Sequence, residues 1–234
     1  MNKKIFIILE AGHNGNGNMR LNKLLIEEAK ICGADAIKFQ LYDTDKIKKV
    51  WQSRYMELKM AELTFKDAKE LKEYANKIGI EFMASAFDVE RVGWLEKLGV
   101  KRHKLASRSI YNKELIKAME KTGKPIIASL GMWKEKELPK IKNAKFLYCV
   151  SEYPAYFNND NFPAKFGDIY NGFSDHSIGC YWAREAIKRG ATIIEKHFTL
   201  SKELPGFNQK GSAEPTEAKD LITFARQKER GINY

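Results

Sequence analysis

Two polar motifs in the second half of the chain carry the residue types best suited to proton transfer or metal binding. Each follows a short apolar run, and the motifs are Ser174-Asp175-His176 and Glu195-Lys196-His197. Because side chains on a strand alternate between faces, Ser174 shares a face with His176, and Glu195 shares one with His197. If the two strands are parallel neighbours, two imidazoles and a carboxylate meet at one end of a sheet, as in a metal site or a proton-transfer site. The alternative is two buried histidines with a structural role, but two of the four histidines of the chain in matching positions favour function.

A recurring junction indicates the fold class. Five times, an amphipathic stretch with a cation near its end is followed by a glycine and then by a short apolar run. The glycines are Gly33, Gly79, Gly99, Gly123 and Gly190. Glycine is favoured just past a helix because that position often needs a positive φ, and a cation in the last turn suits the helix dipole. Repeated junctions of this kind predict alternating helices and strands with a parallel sheet.

Eight strands are predicted along the chain. They lie at 5–10, 36–41, 81–84, 103–106, 125–129, 145–149, 169–173 and 192–196. Eight strands with intervening segments predict an α/β fold, a single-domain (β/α)8 TIM barrel over residues 1–234 with no second domain. A doubly wound open sheet is the alternative, although no glycine-rich phosphate fingerprint follows the first strand.

Start signals for the intervening helices are found at Thr64, at Asp88 and at Glu214-Pro215. A reduced helix is expected near 134–141, after the fifth strand. The segment 42–63 is longer than an ordinary strand-to-helix loop, and we expect it to fold over the barrel mouth.

Polar residues stand at the ends of the predicted strands, where the chemistry of such barrels takes place. Before the two histidine motifs they are Glu10, Lys38, Gln40, Ser85, Lys104, Ser107, Ser129, Ser151 and Tyr153. A lysine inside a barrel is costly to bury unless an anion or a carboxylate pairs with it. Lys38, Lys104 and the hydroxyls therefore predict a cradle for a phosphate and a carboxylate. The alternative is internal pairing of each lysine with Glu10 or Glu195.

The overall composition argues against several partners. The 234 residues carry a formal net charge of +11, but the lysines are scattered among glutamates, so nucleic acid is not expected as a partner while anionic substrates are permitted. Three cysteines without metal-ligand spacing predict a reducing, cytoplasmic location. The apolar run 5–9 is too short for a signal peptide, and because no run is long enough to span a bilayer, no membrane association is expected.

Taken in order, these motifs resemble the catalytic barrel of the sialic acid synthase family. The resemblance extends from Glu10 to about Phe224 and touches every predicted strand. The segments that carry it are Glu10-Ala11-Gly12, Ile37-Lys38-Phe39-Gln40, Phe87-Asp88, Lys104-Leu105-Ala106-Ser107, Gly123-Lys124-Pro125, Gly131-Met132, Ser151-Glu152-Tyr153-Pro154, Ser174-Asp175-His176, Glu195-Lys196-His197-Phe198 and Leu204-Pro205-Gly206. The ordered set, rather than any one segment, makes the resemblance specific.

The resemblance implies a synthase that condenses phosphoenolpyruvate with a sugar aldehyde, an acylamino-hexose or related aldose, and releases phosphate and an α-keto sugar acid. It implies that His176 and His197 bind a divalent metal, Mn²⁺ or Mg²⁺. The positions that match the phosphoenolpyruvate site are Lys38, Ser85, Lys104, Ser107, Ser129 and Ser174. Those that face the acceptor sugar and the attacking water are Glu10, Gln40, Tyr153 and Glu195. We expect Glu10, Glu195 and His176 to be catalytic, and Ser151 and Asn208 to bind substrate.

Departures from the family pattern concern the acceptor side. Arg108-Ser109 stands where the family has Gly-Glu, and Phe207-Asn208-Gln209 stands where it has Pro-Asp-His. The C-terminal antifreeze-like domain of the family has no room before Tyr234, so a homodimer partner or a separate capping protein is expected to cover the mouth. We therefore expect an acceptor other than N-acetylmannosamine. Two alternatives remain open: a non-catalytic barrel that binds a ligand or a partner protein, and a different metal-dependent sugar lyase or isomerase.

Overall fold

Eight parallel strands close into a barrel in the computed structural model, which describes residues 4–232. The strands are β1 Phe6–Gly12, β2 Ala36–Leu41, β3 Glu81–Ala86, β4 His103–Leu105, β5 Ile126–Ser129, β6 Ala144–Cys149, β7 Gly172–Asp175 and β8 Ile193–His197. Each strand pairs in parallel with the next one along the chain, and β8 pairs with β1 to close the barrel. The predicted (β/α)8 barrel is confirmed, and the open sheet is excluded.

Helices cover the outside of the barrel. They are α1 Met19–Cys32, α2 Thr44–Ile47, α3 Tyr55–Ala61, α4 Phe65–Ile78, α5 Val89–Lys97, α6 Lys113–Lys121, α7 Tyr181–Lys188 and α8 Pro215–Glu229, with a 3₁₀ turn at Ser107–Ser109. The main hydrophobic core lies between this layer and the outer face of the strands, with Phe39, Leu71 and Leu221 among its members. Within residues 4–232, no helix has the length and apolar character needed to cross a membrane.

Local sequence explains where these helices begin and end. Thr64 and Asp67 form a capping box, in which each side chain accepts a hydrogen bond from the backbone N–H of the other. Asp88 caps α5, and Glu214 precedes the proline that opens α8. All five junction glycines have a positive φ, between 65° and 98°, as predicted.

Two local predictions are wrong. No helix forms at 134–141, where Pro139 removes a backbone donor and disfavours a helical conformation at the residue before it. The strand predicted at 169–173 begins only at Gly172. Its first residues form a tight turn instead, in which Gly167, at a φ of 107°, donates its N–H to the Tyr170 carbonyl.

The barrel interior changes from apolar to polar along its axis. The layer towards the amino ends of the strands consists of Ile8, Ala36, Met83, Ile127, Leu147 and Ile193. Two residues further along the same strands, the side chains face the interior again, and these are Glu10, Lys38, Ser85, Ser129, Cys149 and Glu195. Strand alternation therefore closes one end with hydrocarbon and brings polar groups to the carboxyl end, where such barrels form their active sites.

Candidate active site

The carboxyl end of the barrel opens into a polar cavity of about 570 Å³. All fourteen residues predicted for the site line this cavity. They are Glu10, Lys38, Gln40, Ser85, Lys104, Ser107, Ser129, Ser151, Tyr153, Ser174, His176, Glu195, His197 and Asn208. Thirteen of them lie on the eight strands or within a few residues after them, so closing the barrel is enough to bring these together; Asn208 lies in the longer loop after β8. Their individual roles stay predictions.

Lys38 forms the first charged cluster of the cavity. Its Nζ lies 2.5 Å from Glu10 Oε2 and 3.8 Å from Glu195 Oε2, and it donates to Ser85 Oγ at 3.2 Å. Gln40 Nε2 donates to Glu10 Oε1 at 2.8 Å. Burial acts to lower the pKa of Lys38, but attraction to the two carboxylates outweighs it and raises the pKa, so this lysine stays cationic.

Lys104 forms the second cluster. Its Nζ donates to Ser129 Oγ at 2.8 Å and lies 3.6 Å from Glu195 Oε1, which also accepts from Ser174 Oγ at 3.0 Å. Burial lowers the pKa of Lys104, whose residue is 2% exposed. The internal pairing of lysines with glutamates considered from the sequence is therefore present. Both lysines nevertheless line the open cavity with a hydroxyl beside each, so the pairing does not remove them from it.

The two buried glutamates have opposite pKa shifts. Burial raises the pKa of Glu10 despite the nearby Lys38 cation, and repulsion from Glu195 adds to the rise. Burial also acts to raise the pKa of Glu195, but the cations of Lys104 and Lys38 outweigh it and lower the pKa. Two carboxyls whose pKa values are driven apart are typical of an acid and a base acting in one site. Glu10 is suited to hold a proton and Glu195 to accept one.

His176 and His197 lie side by side in the cavity, with ring centroids 5.6 Å apart. His176 Nδ1 is 2.7 Å from the Val150 carbonyl, which only accepts, so Nδ1 carries a proton, and in the neutral ring the lone pair is on Nε2. The Tyr153 hydroxyl lies 3.0 Å from that Nε2, and the tyrosine ring stacks on the imidazole at 4.1 Å. Burial, followed by repulsion from His176, lowers the pKa of His197 well below its ordinary value, so that this imidazole is neutral.

These imidazoles fit a divalent ion. A ring whose Nδ1 donates to a backbone carbonyl presents its Nε2 to a metal, and ligation requires the neutral form that His197 has. His197 Nδ1 is also buried without a hydrogen-bond partner in the described part of the chain. Between residues 4 and 232, no group of three or more His, Cys, Asp and Glu side chains is arranged to hold an ion. An ion here would therefore have two protein ligands and would keep positions open for water and substrate.

Cys149 is a cavity residue that the sequence reasoning missed. Its Sγ lies 3.7 Å from His176 Nδ1. Burial alone would raise the pKa of the Cys149 thiol, but the nearby His176 has the larger effect and lowers it. Burial alone would lower the pKa of His176, but the nearby Cys149 has the larger effect and raises it. Cys149 follows the interior residue Leu147 by two positions on β6, so strand alternation was the signal that could have found it.

Contacts that the sequence did not predict join the segments that border the cavity mouth. The segment 42–63 forms α2 and α3 and reaches this mouth, as expected. The Arg54 guanidinium lies 3.7 Å from the centroid of the Phe207 ring, and Glu57 Oε1 accepts from Phe207 N at 3.0 Å. His13 lies 3.7 Å from the same carboxylate oxygen. Two loops far apart in sequence are thus joined at the rim.

Three predicted residues remain, Ser107, Ser151 and Asn208. Ser107 Oγ accepts a hydrogen bond from Gly131 N at 3.1 Å. A methyl group on Gly131 would stand 2.5 Å from Ser151 Oγ, so glycine is needed here to leave the serine its place. Asn208 lies at the rim, and its carbonyl accepts from Ser212 Oγ at 2.7 Å.

The chain is similar in sequence and fold to several known proteins. The model of the NeuB family matches residues 25–233. An uncharacterised protein of Methanocaldococcus jannaschii is 40% identical, over 96% of this chain and 71% of its own length. The N,N'-diacetyllegionaminic acid synthase of Campylobacter jejuni is 37% identical, over 98% of this chain and 78% of its own. Among solved structures, the N-acetylneuraminic acid synthetase of Leptospira borgpetersenii, in complex with citrate, has a TM-score of 0.86 at 31% identity and covers 100% of this chain and 86% of that one.

Proposed function

Because the chain belongs to the NeuB family, we propose that it is a synthase that condenses phosphoenolpyruvate with a sugar aldehyde and releases phosphate and an α-keto sugar acid. One observation carries the proposal: two buried lysines with hydroxyls beside them share a cavity with two carboxyls of opposite pKa shift and two imidazoles. The similarity to proteins named as synthases of acidic sugars supports the same class of product.

The donor is assigned to the deep end of the cavity. Phosphoenolpyruvate carries a phosphate and a carboxylate, and Lys38 and Lys104 are the cations that reach this depth, each with a serine hydroxyl beside it. In a site closed to water on one side, such fixed cations and hydroxyls bind an anion without reorganisation. Ser85, Ser129 and Ser174 would then orient the donor between the two lysines.

The reaction forms one carbon–carbon bond. The enol carbon of the donor attacks the aldehyde carbon of the acceptor, and the aldehyde oxygen becomes a hydroxyl by taking a proton. We assign delivery of that proton to Glu10, since burial raises its pKa and so favours its protonated form. Gln40, which donates to Glu10 Oε1 at 2.8 Å, holds this carboxyl in place.

Attack leaves an electron-poor carbon between the carboxylate and the phosphate ester oxygen of the donor. Water adds to this carbon, and Glu195, whose lowered pKa keeps it ionised, takes the proton from the water. The new hydroxyl on this carbon then gives up its remaining proton as the bond between carbon and ester oxygen breaks, phosphate leaves with that proton as HPO₄²⁻, and the ketone remains. Ser174, which donates to Glu195 Oε1, fixes the orientation of the base.

His176 and His197 would hold a divalent ion, Mn²⁺ or Mg²⁺. When bound, the ion supplies Lewis-acid polarisation of the acceptor aldehyde. The Val150 carbonyl fixes the tautomer of His176, and the stacked ring of Tyr153 fixes its plane.

The acceptor is proposed to differ from N-acetylmannosamine. Arg108, Phe207 and Asn208 line the cavity, and they are three of the five residues that depart from the family pattern. We place the acceptor sugar beside them, above the donor. The cytoplasmic location and the homodimer or capping protein stay predictions.

The test is acceptor-dependent release of phosphate. The protein is incubated with phosphoenolpyruvate, Mn²⁺ and a panel of aldoses that includes N-acetylmannosamine and diacetamido-hexoses. We expect turnover with some aldose other than N-acetylmannosamine, and none without acceptor. Binding of phosphoenolpyruvate without phosphate release for any aldose would favour the non-catalytic barrel. Turnover of N-acetylmannosamine on the order of 1 per second would contradict the assignment of the acceptor side.

A further inference from the structure

We propose that Asp175 and Lys196, which lie on the outer face of the barrel behind the cavity, are positioning residues that set the relative placement of the imidazoles of His176 and His197. The inference rests on the proposed metal-assisted function. Neither residue lines the cavity, and neither takes part in the chemistry assigned above. Each directly precedes one of the two histidines in the chain.

The pair joins the ends of β7 and β8. Asp175 and Lys196 are register partners in the parallel pairing of these strands, and the inward-facing pair before them is Ser174 and Glu195. Lys196 Nζ lies 3.4 Å from Asp175 Oδ2, and the two side chains are 0% exposed. The ion pair therefore ties the two strands together on the face opposite the catalytic groups.

The same pair also fixes the turn that carries His176. Asp175 Oδ1 accepts from Ser177 N at 2.8 Å and from Ser177 Oγ at 2.6 Å. Lys196 Nζ donates to the Ser177 carbonyl. The side chains of Asp175 and Lys196 thus fix Ser177, the residue that follows His176, while the Val150 carbonyl fixes the His176 ring itself.

Such a pair is a poor choice for stability alone. Removing two charges from water costs several kcal/mol for each ion, and buried ion pairs are often replaced by apolar residues without loss of stability. The orientation of each imidazole affects metal affinity more at a site with two protein ligands than at one with three or more, because no further protein ligand compensates for a misplaced ring. Partners behind metal-ligating residues typically change metal affinity by about 10–100-fold when they are removed.

The test measures Mn²⁺ binding by calorimetric titration in the D175N/K196M double variant. Asn keeps an acceptor for the Ser177 N–H, and Met keeps much of the lysine stem, so no charge is left unpaired. We expect the Kd for Mn²⁺ to rise by about 10–100-fold, with phosphoenolpyruvate affinity in the absence of metal unchanged within about twofold, because Lys38 and Lys104 lie on other strands.

The control is D35N/R226M, which removes a more exposed ion pair at the opposite end of the barrel. Arg226 Nη2 lies 2.7 Å from Asp35 Oδ2, next to the start of β2. The control should lose thermal stability without any change in Mn²⁺ affinity. If the first double variant fails to fold, Ser177→Ala removes one hydrogen bond to Asp175 and should still weaken Mn²⁺ binding measurably.

The outcomes separate this inference from the proposed function. If the wild type binds Mn²⁺ and D175N/K196M binds it with the same affinity, the inference is overturned and the proposed function is not. If the double variant does not fold, the same holds for equal affinity in Ser177→Ala. An equal loss of Mn²⁺ and phosphoenolpyruvate affinity also overturns it, because the effect would then be a general distortion. A wild type that binds no Mn²⁺ overturns the metal part of the proposed function and this inference with it.

Discussion

Replacing Lys104 by methionine tests the donor site. The change keeps most of the side-chain volume and removes one buried cation, whose Nζ donates to Ser129 Oγ at 2.8 Å and lies 3.6 Å from Glu195 Oε1. If Lys104 binds an anionic group of phosphoenolpyruvate, the variant loses a charge-assisted hydrogen bond worth about 1.5–3 kcal/mol. This loss corresponds to a rise of about 10- to 150-fold in the Kd for phosphoenolpyruvate.

The same substitution should also change the stability of the protein and the pKa of Glu195. Glu195 keeps Lys38 at 3.8 Å and Ser174 at 3.0 Å, so the free energy of unfolding should fall by only about 1–3 kcal/mol. Lys104 is the strongest influence that lowers the pKa of Glu195 against burial, and without it that pKa rises. If Glu195 is the base, activity should fall as the pH drops through its pKa, and it should therefore be lost at a higher pH in the variant.

The assay is calorimetric titration of phosphoenolpyruvate, with circular dichroism to verify the fold. Lys124→Met is the matched control, because Lys124 also pairs with a glutamate, Glu96, at 2.8 Å but lies outside the cavity, before β5. The control should bind the donor like the wild type. An unchanged Kd in a folded Lys104→Met variant would mean that Lys104 serves only its internal ion pair.

Three further predictions concern the two glutamates, the barrel interior and the opposite end of the fold. Glu195→Gln and Glu10→Gln should each lower kcat by about 10²–10⁴-fold, because an amide can neither accept nor deliver the transferred proton; a folded variant with unchanged kcat would refute the role assigned to that residue. Gly172→Ala places a methyl carbon 2.0 Å from a backbone oxygen of β8 and should destabilise the fold by more than about 1–3 kcal/mol. Gly93→Ala, in an open part of α5, should instead stabilise the fold by about 0.5–1 kcal/mol, and thermal unfolding of both glycine variants measures the two changes. Burial acts to raise the pKa of Asp35, but a backbone N–H and two cationic side chains outweigh it and lower the pKa. Its contribution to stability should therefore be fully present above the unfolded pKa, near 3.8, and be lost as the pH falls through the lower folded value; Asp35→Asn should flatten this acid limb in urea titrations.

The strand ends could be predicted from the sequence because two simple rules act together there. Parallel strands place their carboxyl ends on one side, and alternation fixes which residues face inward, so Glu10, Lys38, Lys104 and His197 followed from their positions alone. Cys149 obeys the same rules but reads as an apolar residue, and its proximity to an imidazole becomes evident only in three dimensions.

The mouth of the cavity could not be predicted because it is built by tertiary contacts between loops. Nothing local in the sequence joins Arg54 to Phe207, which are separated by most of the barrel and meet only when both loops fold over its end. The late start of β7 depends likewise on the turn at Gly167, which propensity did not separate from the strand.

The most direct test of the proposed function is to follow the terminal CH₂ carbon of phosphoenolpyruvate, the carbon that attacks the aldehyde. Phosphoenolpyruvate labelled with ¹³C at this carbon is incubated with the protein, Mn²⁺ and the aldose that gives the highest phosphate release, and the products are followed by ¹³C NMR. We predict a labelled methylene carbon bonded to a carbon of the former aldose, in equal amount to the phosphate. A labelled methyl signal from free pyruvate, with no methylene product, would show that the protein only hydrolyses its donor and would contradict the proposed synthase.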